Sequence, residues 1–512
     1  MIPILNSQQR RAADAFTIKE KPIASIDLME QAASACTDYI LQLCERPGKI
    51  HIFCGNGNNG GDGLAISRHF IYLGFEVVCY LIESNTYVED NLINQERLSQ
   101  LLNRPNLQFS KIHTTHQIAE TNERTIIVDA LLGSGLNRSP EGFLKDLILH
   151  INTMTGIKVA IDVPSGLGAE TVPDAKSTVF KADYTLSFQS PMLSFLMAEG
   201  YQFTGKWELL DIGLLTNGIS LQASKYFYLE QADIKEMLRP RPKFSHKGTF
   251  GHALLIAGSE DKIGAALLAS KAALRSGCGL LSVCTPEKGK QALNSYLPEA
   301  MISSNAANIN YIAQLPDISA HNAIAAGPGL GQHPETHQVI KQLIQNSSVP
   351  LVLDADALNI LSENPTWLSF LPSGCILTPH PGEFDRLAGK CADSMDRFEK
   401  AKTFAFKYQC YLIIKSAYSY LVCPDGSVFF NSTGNPSMAK GGSGDALTGM
   451  ILGLLASGYS PMQAALIGIY AHGLAGDLAL SKHSIESVLC GDLIEQIGIS
   501  LSYIRRDRNI NQ

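Results

Sequence analysis

Residues 435–449, Asn435-Pro436-Ser437-Met438-Ala439-Lys440-Gly441-Gly442-Ser443-Gly444-Asp445-Ala446-Leu447-Thr448-Gly449, carry four small residues into an apolar run. Gly441 to Gly444 leave backbone N–H groups unshielded, and Ala446 to Leu455 reads as a helix. A glycine-rich turn feeding a helix N-terminus makes an anion site, since unpaired N–H groups and the helix dipole face the ligand together. Asp445 stands at that mouth. A carboxylate repels a bound phosphate, so it serves better facing the reacting group, as a base or metal holder. The alternative is that Asp445 caps the helix and the glycines only shape a turn.

A chain of 512 residues exceeds one average domain. With 45% hydrophobic and 17% charged residues it describes a well-buried soluble protein. The net charge of −7 argues against broad nucleic-acid binding, so anionic ligands would need local sites. The start, Met1 to Asn6 followed by Gln8-Gln9-Arg10-Arg11, has no signal-peptide core. No uncharged apolar run reaches the ~18 residues of a membrane span. The eleven cysteines lack any CxxC pair and read as buried free thiols, in keeping with a cytoplasmic protein.

Both halves alternate strands with helices. In the first, Lys49–Gly55, Glu76–Ile82, Thr125–Asp129 and Lys158–Asp162 read as buried strands, and Asp62–Leu73 has helical spacing. In the second, strands are expected at His252–Ala257, Leu280–Cys284, Asn322–Ala326, Pro350–Leu353, Cys375–Thr378 and Tyr411–Lys415, with a helix over Gly264–Arg275. Continuous apolar strands between helices indicate α/β domains with doubly wound parallel sheets. The stretch Arg239-Pro240-Arg241-Pro242 cannot continue the helix-like piece Gln231–Leu238. The boundary is therefore placed near residue 225, giving domains 1–225 and 226–512.

Three acidic strand ends mark the first half. Asn58-Asn59-Gly60-Gly61-Asp62-Gly63 follows a strand, as do Asp129 to Arg138 and Asp162-Val163-Pro164-Ser165-Gly166. The first is neither a P-loop nor a GxGxxG fingerprint, and its amide and carboxylate oxygens suit a hard cation. Each loop alone has the alternative reading of a capped turn, in the first with Asp62 as N-cap. Together, the NNGGDG, DALLGSGL and DVPSG segments resemble the YjeF N-terminal family, over most of residues 1–225. That resemblance implies a Rossmann-like domain that epimerises hydrated NADH and NADPH. It implies substrate contacts from Asn58, Asn59, Gly60, Gly61 and Asp62 and from Gly133, Ser134, Gly135, Leu136, Asn137, Arg138 and Ser139. Asn59, Asp129 and Ser165 would hold potassium, and Asp162 would face the reacting ring. Changing configuration at a carbon bearing hydroxyl and ring nitrogen needs ring opening, or water loss and return, and a carboxylate can relay the protons.

In the second half, Lys247-Gly248-Thr249-Phe250-Gly251-His252, Gly327-Pro328-Gly329-Leu330-Gly331, Asp354-Ala355-Asp356, Thr378-Pro379-His380-Pro381 and Ile414-Lys415-Ser416-Ala417-Tyr418-Ser419 precede the opening stretch. His380 is set rigidly between prolines, and Lys415 supplies a cation; a surface lysine after a strand is the alternative there. In this order the segments resemble the ribokinase-like superfamily, and within it the ADP-dependent NAD(P)HX dehydratases, over residues ~240–500. The resemblance implies that Ala253, Gly329 and His380 contact hydrated nicotinamide, and that Asp445 activates its hydroxyl. Lys415, Ser416, Ala417, Tyr418, Ser419 and Gly444 would bind the adenine nucleotide. Hydroxide leaves badly and phosphate well, so phosphorylation of the ring hydroxyl followed by elimination would restore the dihydronicotinamide, with Mg2+ on the ADP phosphates. Ser437 stands where the family often has glycine, and Ser416-Ala417 follow Lys415 where glycine is usual; both keep small residues. The expectation is a cytoplasmic, homo-oligomeric, bifunctional repair enzyme acting on NADHX or NADPHX with K+ in one half and Mg2+ with ADP in the other. The alternative is a vitamin or sugar kinase with a non-catalytic N-terminal binding domain.

Overall fold

The computed structural model describes residues 1–44, 48–135, 138–303 and 308–506. The chain forms two compact units, one of residues 2–224 with 393–395 and one of Met1 with 225–392 and 396–512.

In the first unit, strand β1 (Ile2–Pro3) and helices α1 (Ser7–Glu20) and α2 (Ser25–Leu43) precede strand β2 (Lys49–Cys54) and helix α3 (Asn58–Tyr72). Strands β3 (Glu76–Ile82), β4 (Leu107–Ile112), β5 (Ile126–Ala130), β6 (Ile157–Ile161), β7 (Tyr184–Phe188) and β8 (Lys206–Leu210) follow. They form an all-parallel sheet in the order β4-β3-β2-β5-β6-β7-β8. Successive side chains of a strand point to opposite faces. Ile50, Ile52, Val77, Cys79 and Val128 accordingly join one buried cluster, while Phe53, Val78, Tyr80 and Ile127 join another. Both faces are thus covered, as a parallel sheet requires. The strand order reverses between β2 and β5, and such a switch point opens a crevice at the strands' carboxyl ends.

The second unit contains β9 (Tyr226–Tyr228), β10 (His252–Ile256), β11 (Leu280–Cys284), β12 (Met301–Ser303), β13 (Ala323–Ala326), β14 (Leu351–Leu353), β15 (Ile376–Leu377), β16 (Tyr411–Ile414), β17 (Tyr420–Val422) and β18 (Val428–Phe430). Their order is β9-β18-β17-β16-β15-β14-β13-β10-β11-β12. Only β17 runs antiparallel to its neighbours among these strands. Its switch point lies between β10 and β13, where Gly258 N–H donates to Pro328 O at 2.9 Å. Helix Ser443–Ala456 is buried from Ala446 onward in the largest apolar cluster, together with Ala266, Ala269 and Ala273 of helix Ile263–Arg275.

Apolar spacing places α3 over 62–73, whereas the helix begins at Asn58. The first turn contains Gly60 and Gly61, weak helix formers that spacing passes over. Packing requires the glycine at 60: a Cβ there would lie 1.9 Å from Gly55 O. Edge strand β4, with alternating burial, and the short pair β17–β18 lie outside the sequence expectation. Among the described residues no helix is long and apolar enough to cross a membrane. All eleven cysteines are free thiols, buried except for Cys44.

Candidate functional site

In the first unit, the carboxyl ends of the strands border a cavity of about 670 Å³. Asn58, Asn59, Asp62, Gly133, Ser134, Gly135, Arg138 and Asp162 line it. Gly60 and Gly61 lie buried in the first turn of α3, outside that lining, and Ser139 is exposed. Leu136 and Asn137 lie outside the described residues. The glycine loop is clamped from behind by buried Asn91, whose amide donates to Gly55 O and Gly57 O at 3.0 Å each, and by Asn94, which donates to Gly61 O at 3.3 Å. Gly57, not Asp62, is the N-cap of α3, so Asp62 is not there as a cap.

Asp162 follows β6 with φ +64°, a left-handed conformation costing a residue with a Cβ roughly 1–2 kcal/mol. Such strain concentrates at functional positions. Its Oδ2 accepts the Ser134 N–H at 3.1 Å, and its Oδ1 lies 3.9 Å from Arg10 Nη1. Asp129 is fully buried: Oδ1 accepts the Ser165 hydroxyl at 2.6 Å and the Leu131 N–H at 3.2 Å, while Oδ2 accepts the Ser165 N–H at 2.8 Å. Burial still pushes its carboxyl up to about 6 against those bonds. Asn59 donates to Leu132 O at 2.8 Å, and its buried Oδ1 has no hydrogen-bond partner. Asn59, Asp129 and Ser165 therefore converge around the loop at Leu132, whose N–H donates to Ser165 Oγ at 2.8 Å.

Three charged residues of α1, Arg10, Arg11 and Asp14, enter this cavity without having been assigned from the sequence. Arg10 is buried and donates to Phe188 O at 3.2 Å and to Ser190 O. Asp14, one turn later, also lines the cavity; burial and the nearby Asp162 push its carboxyl up to about 6, against Arg10. Burial, then Asp162 and Asp14, hold the Asp62 carboxyl well above the usual range. The helical i, i+4 spacing of Arg10 and Asp14 was the available sequence signal.

In the second unit the opening stretch becomes a 3-10 turn, Pro436–Met438, and helix Ser443–Ala456. Gly442, with φ +94°, is the N-cap, a conformation glycine adopts without strain. Asp445 is thus the third helical residue, and no hydrogen bond from the described residues holds its carboxylate. Burial first, then Asp354, push it up to about 7, with Lys415 opposing. Lys415 is mostly buried and donates to Asp354 Oδ1 at 2.8 Å; Glu383 Oε2 lies 3.9 Å away. It is not a surface lysine. Its Nζ lies 3.2 Å from where a Cβ on Gly444 would stand, so the ammonium rests against the helix mouth. A cation is disfavoured at a helix N-terminus. Asp354 holds it there, and Asp354 is in turn held by the Thr448 hydroxyl at 2.7 Å.

His380 caps the helix Pro381–Ala388: its Nδ1 accepts Gly382 N–H at 3.1 Å and Glu383 N–H at 3.4 Å, leaving Nε2 on the half-exposed edge. Gly329 is buried with φ +58°, where a Cβ would meet Lys262 O at 2.5 Å. Ala253 stands apart from the other expected contacts: it is fully buried in the middle of the sheet, in the apolar core. Ser416 and Ala417 are exposed, and Tyr418 and Ser419 are partly buried. Asp354, Thr448, Glu383 and His472 carry no assignment from sequence. Buried His472, kept neutral by its burial with its pKa pushed down to about 4, donates to Ser443 O at 3.0 Å. The Asp445–Thr448 spacing of three on one helix face was the signal for Thr448.

A family model described as NAD(P)H-hydrate dehydratase matches residues 253–498, and one described as YjeF-related protein N-terminus matches residues 25–194. The chain is 35% identical to the bifunctional NAD(P)H-hydrate repair enzyme of Moorella thermoacetica over 500 residues, covering 94% of this chain and 93% of that one. It is 32% identical to the enzyme of that name from Escherichia coli over 498 residues, 96% and 91% of the two chains. A solved ADP/ATP-dependent NAD(P)H-hydrate dehydratase from Bacillus subtilis, co-crystallized with ATP/Mg2+, is 34% identical, covering 54% of this chain and 98% of that chain at a TM-score of 0.48.

Proposed function

This chain belongs to the family of bifunctional NAD(P)H-hydrate repair enzymes, and from that premise we propose that residues 1–225 epimerise hydrated NADH and NADPH while residues 226–512 dehydrate the S epimer with ADP. The observation that carries this reading is that one chain pairs a cavity around strained Asp162 with a helix mouth where uncapped Asp445 sits beside Lys415.

In the first unit the glycine loop and residues 133–139 bind the hydrate, and Asp162 exchanges protons with its C6 hydroxyl. Asn59, Asp129 and Ser165 would hold K+. The fit rests on the buried, unpartnered Oδ1 of Asn59 and on the oxygen donors around it. A cation would also compensate Asp129, whose buried carboxylate lacks any cationic partner among its hydrogen bonds. Bound there, K+ would supply a fixed positive charge for substrate oxygens.

In the second unit Asp445 takes the proton of the C6 hydroxyl, whose oxygen attacks the β-phosphorus of ADP and releases AMP. The C5–H electrons then form the C5=C6 bond, and phosphate leaves with the C6–O electrons and takes the C5 proton. Gly444, the Lys415–Ser419 turn and the Lys415 ammonium balance phosphate charge, with Gly329 and His380 toward the ring. Mg2+ would be held through the nucleotide phosphates, neutralising charge on the transferred group. Asp354 keeps Lys415 in reach. We place the protein in the cytoplasm, in keeping with its free buried thiols.

Incubating the purified chain with mixed R and S hydrate, ADP, K+ and Mg2+ tests this. Complete return of dihydronicotinamide absorbance is expected, since both epimers are consumed. Return of the S fraction alone would remove the epimerase. No return, with phosphorylation of a vitamin alcohol, would replace the dehydratase by a kinase. Light scattering tests the expected homo-oligomer.

A further inference from the structure

We infer that Asp14 is the second acid/base of the first unit, working opposite Asp162 on the same substrate. The inference rests on the epimerase reading above. Asp14 lines the cavity that Asp162 lines, reaching it from helix α1 rather than from a strand end. No hydrogen bond from the described residues holds its carboxylate, whereas Asp162 accepts the Ser134 N–H. Arg10, one turn before Asp14 on the same helix, is buried, with one guanidinium nitrogen 3.9 Å from Asp162 and its Nε without a hydrogen-bond partner. The Arg10 guanidinium thus lies against Asp162, and Asp162 in turn raises the Asp14 carboxyl. Burial holds Asp14 up to about 6, and Asp62 of α3 faces the same space, adding to the negative charge there. Arg11 and Arg138 are the other charged groups of the lining. A carboxyl raised in this way keeps a proton to give, which suits an acid working with a second carboxylate across one cavity.

Epimerisation needs both. Asp162 takes the proton of the C6 hydroxyl; the O–H electrons form C6=O, the C6–N1 bond breaks, and N1 takes the proton of the Asp14 carboxyl. Rotation about C5–C6 turns the other carbonyl face to N1. The N1 lone pair then closes on C6, the oxygen recovers a proton from Asp162, and Asp14 takes back the N1 proton. Both carboxyls return to their starting states, and nothing is oxidised or reduced. One carboxylate alone would have to carry a proton from oxygen to nitrogen within the lifetime of the open form.

The test is R/S equilibration in the full chain, followed by proton exchange-resolved NMR of the hydrate without ADP. Asp14→Asn is expected to slow equilibration by about 10²-fold or more. Asp14→Glu is expected to restore most of the rate, which a merely structural carboxylate contact at fixed length would not do. The parent rate should decline as pH rises above about 6, and Asp14→Asn should lose that decline. Equilibration by Asp14→Asn at the parent rate overturns the inference, as does an Asp14→Glu variant as slow as Asp14→Asn. If Asp162→Asn also equilibrates at the parent rate, the failure belongs to the epimerase reading instead. Unaltered binding of the R hydrate by Asp14→Asn, measured by calorimetry, supports the inference; loss of binding overturns it in favour of a binding role.

Discussion

The two sites solve the same electrostatic problem in opposite ways. In the first unit Arg10 is a buried cation beside Asp162, while Asp14, Asp62 and Asp129 are each pushed upward by burial. In the second unit Asp354, Glu383 and Asp445 surround Lys415, whose pKa is raised by those acids against its burial. Acids left close to their switching range suit proton relay. A cation fixed at a helix mouth suits phosphate. The difference teaches that what each site handles is set by how its carboxylates are compensated, since both stand at the carboxyl ends of parallel strands.

Exchanging single acids would break the comparison most sharply. Asp445→Asn should lower nucleotide-dependent dehydration by ~10²–10⁴-fold with ADP still bound by calorimetry, while epimerisation continues. Asp162→Asn should do the reverse, because asparagine tolerates the left-handed backbone. Loss of both activities in either variant would show that the sites are not independent. Next in size, Lys415→Met strands the buried Asp354 carboxylate and should destabilise the second unit by about 3–5 kcal/mol in denaturant unfolding, with weakened ADP binding. An unchanged midpoint would mean that Asp354 is held by Thr448 alone.

Smaller effects sharpen the contrast. Asp162→Gly and Asp162→Ala both remove the carboxylate, yet the glycine variant should be more stable by about 1–2 kcal/mol, because only alanine keeps the strain of φ +64°. Equal melting temperatures would mean that the turn relaxes. For Asp445 the folded carboxyl binds its proton more tightly than the unfolded one. Its contribution is therefore present below the ordinary value of 3.8 and is lost as pH rises to about 7. Stability of the second unit should fall across that window by at most about 1.4 kcal/mol per pH unit from this group, and Asp445→Asn should flatten the slope.

Much of the fold was legible because buried parallel strands are nearly continuous apolar runs: β2, β3, β5 and β6 lie within a residue of their expected bounds. The β4 edge and the β17–β18 pair were not, since short or half-exposed strands lack that signature. Within the sites, glycine loops and strand-end acids stand out in the chain because their composition is local. Asp14 and Arg10 do not: they belong to an ordinary polar helix, and only folding brings Arg10 to Asp162 and Asp14 into the same cavity.

By itself the sequence determined that a glycine turn would feed a helix beside Asp445, that two largely parallel sheets would form, and which acids stand at their strand ends, because backbone freedom and apolar runs are properties of neighbours. The tertiary structure alone decided that Asp445 is helical and uncapped, that Lys415 lies on the helix mouth, and that Ala253 is sealed in the core. Those outcomes depend on which distant groups come within a few ångströms, and on the burial that removes water from between them.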